Sequence, residues 1–202
     1  MFITFEGTEG SGKSTQARLL YEYLESIGKS VVLTREPGWG KLGSIIRELI
    51  LDDKQIKIDP FAELCLFCAD RAQHVREFIK PKLNEGFIVI CDRYSDSTHI
   101  YQGYGRKLDI NLVKEMADSS RLDLIPNLTF FLSIPVAEGL ERLKSRGEIT
   151  KIDAEPLDFH NNILAGYKKL IKDESERFKV IRASGSIENT HNEIKEAISS
   201  IL

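Results

Sequence analysis

The segment Gly7-Thr8-Glu9-Gly10-Ser11-Gly12-Lys13-Ser14 has the form G-x-x-x-x-G-K-[ST]; it directly follows the alternating apolar run Phe2 to Glu6 and directly precedes a helical pattern. No other stretch constrains the chain as strongly. Glycines in this setting let backbone N–H groups curl around a phosphate, and the start of the helix adds partial positive charge. Lys13 is then placed to reach the outer phosphates, and the Ser14 hydroxyl to ligate Mg²⁺. A plain glycine-rich turn would explain Gly7, Gly10 and Gly12, but neither the Lys-Ser pair nor its position between a strand and a helix.

Hydrophobic periodicity extends this unit into a repeating order of short strands and longer helices, as in a sheet covered on both faces. The pattern predicts strands at Phe2 to Glu6, Ser30 to Thr34, Phe87 to Cys91, Leu128 to Ser133 and Lys179 to Arg182. The first helix begins near Ser14, carries Leu19, Leu20, Tyr23, Leu24 and Ile27 on one face, and stops at Gly28. Further helices are expected at Leu42 to Leu51, Pro60 to Asn84, Tyr94 to Gln102, Asn111 to Ser119, Val136 to Arg146, Leu157 to Asp173 and Ile187 to Ile201, with Asp109 as an N-cap. Strands joined through helices must be largely parallel, and such sheets bind ligands at their C-terminal ends. Gly7, Arg35, Asp92 and Ser133 therefore belong to one rim.

The 202 residues, 42% apolar and undivided by a Pro/Gly/Ser-rich linker, suit one domain over 1–202. The 28 basic and 31 acidic side chains give a net charge of −3, which excludes a broad nucleic-acid surface but not a small anionic ligand. No apolar run reaches the ~18 residues of a membrane span, and the N-terminus lacks the pattern of a signal peptide, so no membrane is expected and the cytoplasm is the default compartment. Cys65 and Cys68 lie on one helix face without the second pair of a zinc site; with Cys91 they are expected to be packed thiols.

Four further segments carry chemistry. Phe87-Ile-Val-Ile-Cys-Asp92-Arg93-Tyr94 ends an apolar strand in an acid suited to supporting Mg²⁺ and in a guanidinium matched to phosphate. The competing description makes Asp92 a helix N-cap and Arg93 a surface residue. Thr34-Arg35-Glu36-Pro37-Gly38 is a turn at a strand end. Phe67 and Arg71, four apart on a helix, suit a flat base, with a ring to stack on and a donor for its edge, but equally a core ring beside a surface charge. Glu141 to Lys151 holds four bases against two acids, a composition shared by a lid that closes on phosphates and by a solvated helix end.

With these segments in this order, and with Asp96-Ser-Thr-His-Ile-Tyr-Gln-Gly-Tyr-Gly105, the chain resembles the thymidylate kinase family over nearly its whole length. The resemblance implies a P-loop α/β fold with a five-stranded parallel sheet, helices on both faces, a short lid at about 142–156, and a homodimer packed through helices. It implies transfer of the γ-phosphate of ATP to dTMP, with Mg²⁺, in the supply of dTTP for DNA synthesis. ATP would lie on Gly7, Thr8, Glu9, Gly10, Ser11, Gly12, Lys13, Ser14 and Thr15, with Arg142 over the adenine. Glu9 would accept the sugar 3′-hydroxyl, and Tyr101 would crowd the place of a 2′-hydroxyl. Phe67 would stack on thymine, Arg71 would donate to its edge, and Ser97, Thr98 and Gln102 would contact it. Arg93, with Arg35 and Arg47, would hold the dTMP phosphate, and Ser14 and Asp92 would serve the metal.

Three departures from the family pattern stand out. Gly10 occupies a place where some members carry an arginine, so the lid must supply that charge, through Arg146 first and Lys151 second. Trp39-Gly40 replaces the usual Gly-Thr and is expected to reshape the floor near the sugar. Asp153 replaces a common Glu. The expected catalytic cations are thus Lys13, Arg93, Arg146 and Lys151, in an in-line transfer that needs positioning and charge neutralisation more than a strong base. A kinase for another base and a P-loop regulatory module are the rivals; no Asn-Lys-x-Asp guanine signature is present.

Overall fold

In the computed structural model, which describes residues 1–53, 55–145, 147, 149–199 and 201, the five apolar runs form one parallel sheet in the order β2-β3-β1-β4-β5. The strands are β1 (Phe2–Glu6), β2 (Val31–Arg35), β3 (Ile88–Asp92), β4 (Leu128–Ser133) and β5 (Phe178–Arg182). Burial explains the order. β1 is buried at every position and β3 and β4 at all but the last, whereas β2 and β5 each expose several positions. Continuous apolar strands need cover on both faces and so take the centre, while strands with polar positions tolerate an edge.

The described helices are α1 (Lys13–Ser26), α2 (Gly40–Arg47), α3 (Pro60–His74), α4 (Lys80–Asn84), α5 (Ser95–Thr98), α6 (Ile110–Arg121), α7 (Val136–Lys144), α8 (Leu157–Asp173) and α9 (Ile187–Ser199). Strand alternation divides the core. Ile3, Phe5, Ile90, Phe130 and Leu132 pack with Leu20 and Leu24 of α1 and with Ile194 and Ile198 of α9. Phe2, Val89 and Cys91 pack with Val75, Ile79 and Tyr94, while Phe131 and Phe178 pack with Ile163, Tyr167 and Leu170 of α8.

Three expected helices are not continuous; the one at Leu42 to Leu51 passes from α2 into a π-helical stretch at Glu48–Asp52. The run from Pro60 to Asn84 opens into a wide i→i+5 turn at Val75–Ile79 before α4, just ahead of Pro81, which has no N–H to donate and whose ring would clash with the carbonyl four residues back. The run after Tyr94 is one α turn, α5, followed by a π-helical stretch at His99–Gly105. π-helical turns cluster at functional sites, and this one faces the cavity described below. Asp109 caps α6, accepting from Leu112 N–H at 2.9 Å.

Parallel register sets Phe5 beside Asp92, Glu6 beside Phe131 and Arg35 beside Asp92, so the C-terminal ends of four strands finish together. Because α1 is the helix that leaves this rim, its packing decides how firmly the phosphate-type loop is held. Leu20→Ala, at a fully buried position, is expected to lower stability by about 2–5 kcal/mol, read as a lower urea midpoint at unchanged slope.

Candidate active site

The loop between β1 and α1 wraps around the ammonium of Lys13. Its Nζ donates to Gly7 O at 3.0 Å, Thr8 O at 2.7 Å and Ser11 Oγ at 3.2 Å. Gly12 has φ 90° at the N-cap of α1, where its missing side chain leaves the helix N-terminus open to the cavity. Gly10 has φ 69°, and a Cβ there would fall 2.0 Å from the carbonyl oxygen of Gly139 in α7. The place at which an arginine would stand is thus filled by helix backbone, so in this chain the loop has no room for one. Burial pushes the Lys13 ammonium down to about 8.

Beside the loop, the turn after β3 brings Arg93 in at φ 69°, a left-handed conformation uncommon for a side chain of this size. Its Nη2 donates to Glu9 Oε1 at 2.7 Å and Oε2 at 2.8 Å, and its Nη1 donates to Ser97 Oγ at 3.0 Å. Tyr101 OH donates to Glu9 Oε1 at 2.6 Å, under a guanidinium 4.9 Å from the ring centroid. Burial raises the Glu9 carboxyl, but Arg93, Lys13 and the Tyr101 hydroxyl overcome it and hold the group at about 2.

One strand residue before the loop, buried Glu6 accepts from Tyr94 N–H at 2.8 Å, Ser97 Oγ at 2.6 Å and Tyr167 OH at 2.7 Å. It thereby fixes both sides of the Arg93 turn. Asp92 is not a helix cap, since α5 starts without any side-chain cap, and Arg93 is not a surface residue. The Ser14 hydroxyl donates to Asp92 Oδ2, while Asp92 Oδ1 is buried without a partner. This pair of oxygen donors fits a hard divalent cation such as Mg²⁺, which keeps several waters and shares phosphate oxygens. Among the described residues no cluster of three His, Cys, Asp or Glu is present, so the protein alone would supply only part of the shell.

A cavity of about 320 Å³ runs from this loop to the region between α3 and the π-helical stretch; its walls include Arg35, Arg47, Phe67, Arg71, Arg93, Ser97, Thr98, Tyr101 and Gln102. At its far end Arg71 is buried, not exposed as a surface charge would be. Its Nε donates to Glu36 Oε2 at 2.8 Å and its Nη2 to Thr98 Oγ1 at 2.9 Å, while Nη1 has no partner. Glu36 is held in turn by His74, whose Nδ1 lies 2.9 Å from Oε1 and whose Nε2 lies 2.8 Å from Thr34 Oγ1. A carboxylate only accepts, so Nδ1 carries a proton toward it. Gln102 donates its Nε2–H to Glu63 Oε1 at 2.9 Å, leaving its own Oε1 buried and unpartnered.

The remaining expectations fall in other places. Thr15 lines the cavity at the start of α1. Arg142, on α7, donates from Nη2 to Glu138 at 2.8 Å and to Ala183 O at 3.0 Å, outside the cavity lining. Arg146 lies outside the described residues. Lys151 does not point into the cavity: its Nζ donates to Leu49 O at 2.9 Å and Ile56 O at 3.0 Å, because those carbonyls follow α2 and offer the ammonium its partners there. Its neighbours Thr150, Ile152 and Asp153 do line the cavity. Trp39 is not in the lining of this cavity; its ring stacks on His74 at 5.4 Å, behind Glu36. The thiols of Cys65, Cys68 and Cys91 are free, and Cys91 is buried.

Sequence reasoning did not single out Glu6, Glu63, His74 or Tyr167. Glu63 sits in the apolar run Phe61 to Leu66 and Glu6 ends the run Phe2 to Phe5, which is the signal the sequence offers; His74, among Arg71, Gln73, Arg76 and Glu77, has none.

Fold and site together define a P-loop phosphotransferase with an anion loop at one end of a cleft and paired hydrogen-bonding groups at the other. The sequence model described as Thymidylate kinase matches residues 5–194. Thymidylate kinase of Roseiflexus sp. (strain RS-1) is 44% identical over 214 residues, covering 100% of this chain and 95% of that protein. Thymidylate kinase of Solidesulfovibrio magneticus is 46% identical over 193 residues, covering 92% of each. The crystal structure of thymidylate kinase from Ehrlichia chaffeensis has a TM-score of 0.80 at 34% identity, covering 98% of both chains. The chain belongs to the thymidylate kinase family.

Because Lys13 must be charged to hold phosphates, its lowered pKa predicts a pH limit. Affinity for inorganic tripolyphosphate, measured by calorimetry, should change little from pH 7 to 8 and then fall by about tenfold per unit as the ammonium loses its proton. Constant affinity up to pH 9.5 would contradict this role.

Proposed function

We propose that this chain phosphorylates dTMP to dTDP with ATP by in-line transfer, through the residues of the cavity. One observation carries the reading: a single cleft offers a phosphate loop at one end and, at the other, an unpartnered donor, Arg71 Nη1, beside an unpartnered acceptor, Gln102 Oε1. The pyrimidine edge of thymine presents the complementary pair, the O4 acceptor and the N3–H donor. Cytosine presents the reverse, an amino donor and a bare N3.

In this reading Phe67 stacks on the base and Thr98 steadies Arg71. Arg93, with Arg35 and Arg47, receives the dTMP phosphate; Arg47 is now tied by Nη1 to Pro37 O at 2.9 Å. Glu9 is already ionised and accepts the 3′-hydroxyl, and the Tyr101 hydroxyl bonded to it fills the side a 2′-hydroxyl would need. The β- and γ-phosphates of ATP take the place of the carbonyls now held by Lys13. Mg²⁺, when bound through Ser14 and the Asp92 side, supplies charge neutralisation on the phosphate oxygens.

The acceptor oxygen is ionised at neutral pH, so no strong base is needed, and catalysis is positioning together with neutralisation by Lys13 and Arg93. Residues 142–156 act as the lid. Segment 149–155 is pinned to the end of the α2 region by Lys151, which makes Lys151 a lid anchor and leaves the transferring charge to Arg146. Arg142 frames the adenine. The chain works as one domain and as a homodimer in the cytoplasm.

Lys13→Ala should lower kcat by at least about 10²-fold while the far-ultraviolet circular dichroism stays unchanged. In an ADP-release assay with ATP, dTMP should be turned over well ahead of dCMP, dGMP and UMP; ADP formation independent of any added monophosphate would favour a regulatory module instead.

A further inference from the structure

The Gln102 amide can read a base only if it is prevented from turning over. An amide has a donor end and an acceptor end of nearly equal size, and a 180° flip of its side chain would exchange them in the cavity. What stands behind the amide therefore decides which end the ligand meets. Here it is Glu63, in the first turns of α3, with its side chain 7% exposed. The start of α3 is held by the Asp59 cap, which accepts from Phe61 N–H at 2.9 Å, and by Pro60. Arg106 donates to both oxygens of Glu63, from Nε at 3.0 Å to Oε1 and from Nη2 at 3.1 Å to Oε2, so the side chain meets Gln102 as an acceptor. Arg106 is fixed on its other side by Glu155 and by the Phe159 ring, 5.0 Å from its Cζ.

We propose that Glu63 is a specificity-determining positioning residue: as a buried group whose two oxygens both accept hydrogen bonds, it holds the amide nitrogen of Gln102 to itself and so leaves the amide oxygen for the base. The inference rests on the reading of the base end given above and extends it to a residue that does not touch the substrate. Flipping Gln102 would set a carbonyl oxygen against the carboxylate and leave the buried amide hydrogens facing N3–H of thymine. Both contacts are repulsive, and both place unsatisfied polar groups in a buried site. With Glu63 accepting from the amide nitrogen, the cavity reads thymine and rejects cytosine. With a neutral amide at position 63, which can accept or donate, Gln102 is free to adopt either orientation, and the N3 side no longer rejects cytosine, although Arg71 still opposes its amino group.

The test is steady-state kinetics with dTMP and dCMP for the wild type, Glu63→Gln, Glu63→Asp, Gln102→Leu and the double variant Glu63→Gln/Gln102→Leu. Glu63→Gln should raise the ratio of kcat/KM for dCMP over dTMP on the order of 10-fold or more, mainly through a higher KM for dTMP with kcat within about threefold. Glu63→Asp keeps an acceptor-only group and should keep the wild-type ratio, even at a higher KM. In the Gln102→Leu background Glu63→Gln should leave the ratio where Gln102→Leu alone puts it, since there is no amide left to orient. The proposal is overturned if Glu63→Gln leaves the ratio unchanged, or if it shifts the ratio equally with and without the Gln102 amide, which is what loss of the Arg106 ion pair alone would do. If Glu63→Gln does not fold, a Glu63→Asp enzyme that has lost its preference for dTMP overturns it as well. A wild type that shows no preference for dTMP over dCMP would overturn the base-end reading itself, before Glu63 is changed.

Discussion

The Glu9–Arg93 ion pair is the contact around which the rest of the site is arranged. It joins the phosphate loop after β1 to the turn after β3, so the two central strands deliver their ends to a single charged cluster. Four ionisable groups, Glu6, Glu9, Lys13 and Arg93, crowd there with little water. Removing one partner of such a buried pair costs about 3–5 kcal/mol, because the other charge is left uncompensated. This explains the density of secondary bonds: Glu6 to Tyr94, Ser97 and Tyr167, and Lys13 to the loop carbonyls. Donors fixed in this way suit an anion, since they need little reorganisation to meet one.

The opposite end of the cleft follows the same logic with hydrogen bonds of fixed direction. Glu36 accepts from Nε of Arg71 and Thr98 from its Nη2, leaving Nη1 without a partner, and Glu63 accepts from the amide nitrogen of Gln102, leaving its oxygen without one. In the proposed reading, each acid sets the polarity of the group that meets the base. Behind Glu36 the His74 imidazole, stacked on Trp39, completes the array. The chain's own departure at position 39 thus packs behind Glu36, outside the cavity lining.

Much of this was legible in the sequence. The strand-loop-helix motif, the alternation of elements and the acid-arginine strand end each have local signatures, and all five strands lie within a residue of their expected bounds. What was not legible depends on contacts between distant segments. Glu63 and Gln102 are 39 positions apart and Glu6 and Tyr167 are 161 apart, and nothing in a linear pattern reports which acid faces which donor. Lys151 shows the same limit in reverse: a base in a basic run was taken to face phosphates, but two backbone carbonyls that no sequence pattern marks claim its ammonium. The π-helical stretch after Thr98 was read as an ordinary helix because its apolar spacing is compatible with both.

The measurement that bears most directly on this account is a crystal structure with dTMP bound. The account predicts the phosphate against Arg93, thymine N3 within about 3.2 Å of Gln102 Oε1, and O4 within the same distance of Arg71 Nη1. A base seated at the Lys13 end, or one that meets the Gln102 amide through its nitrogen, would contradict it.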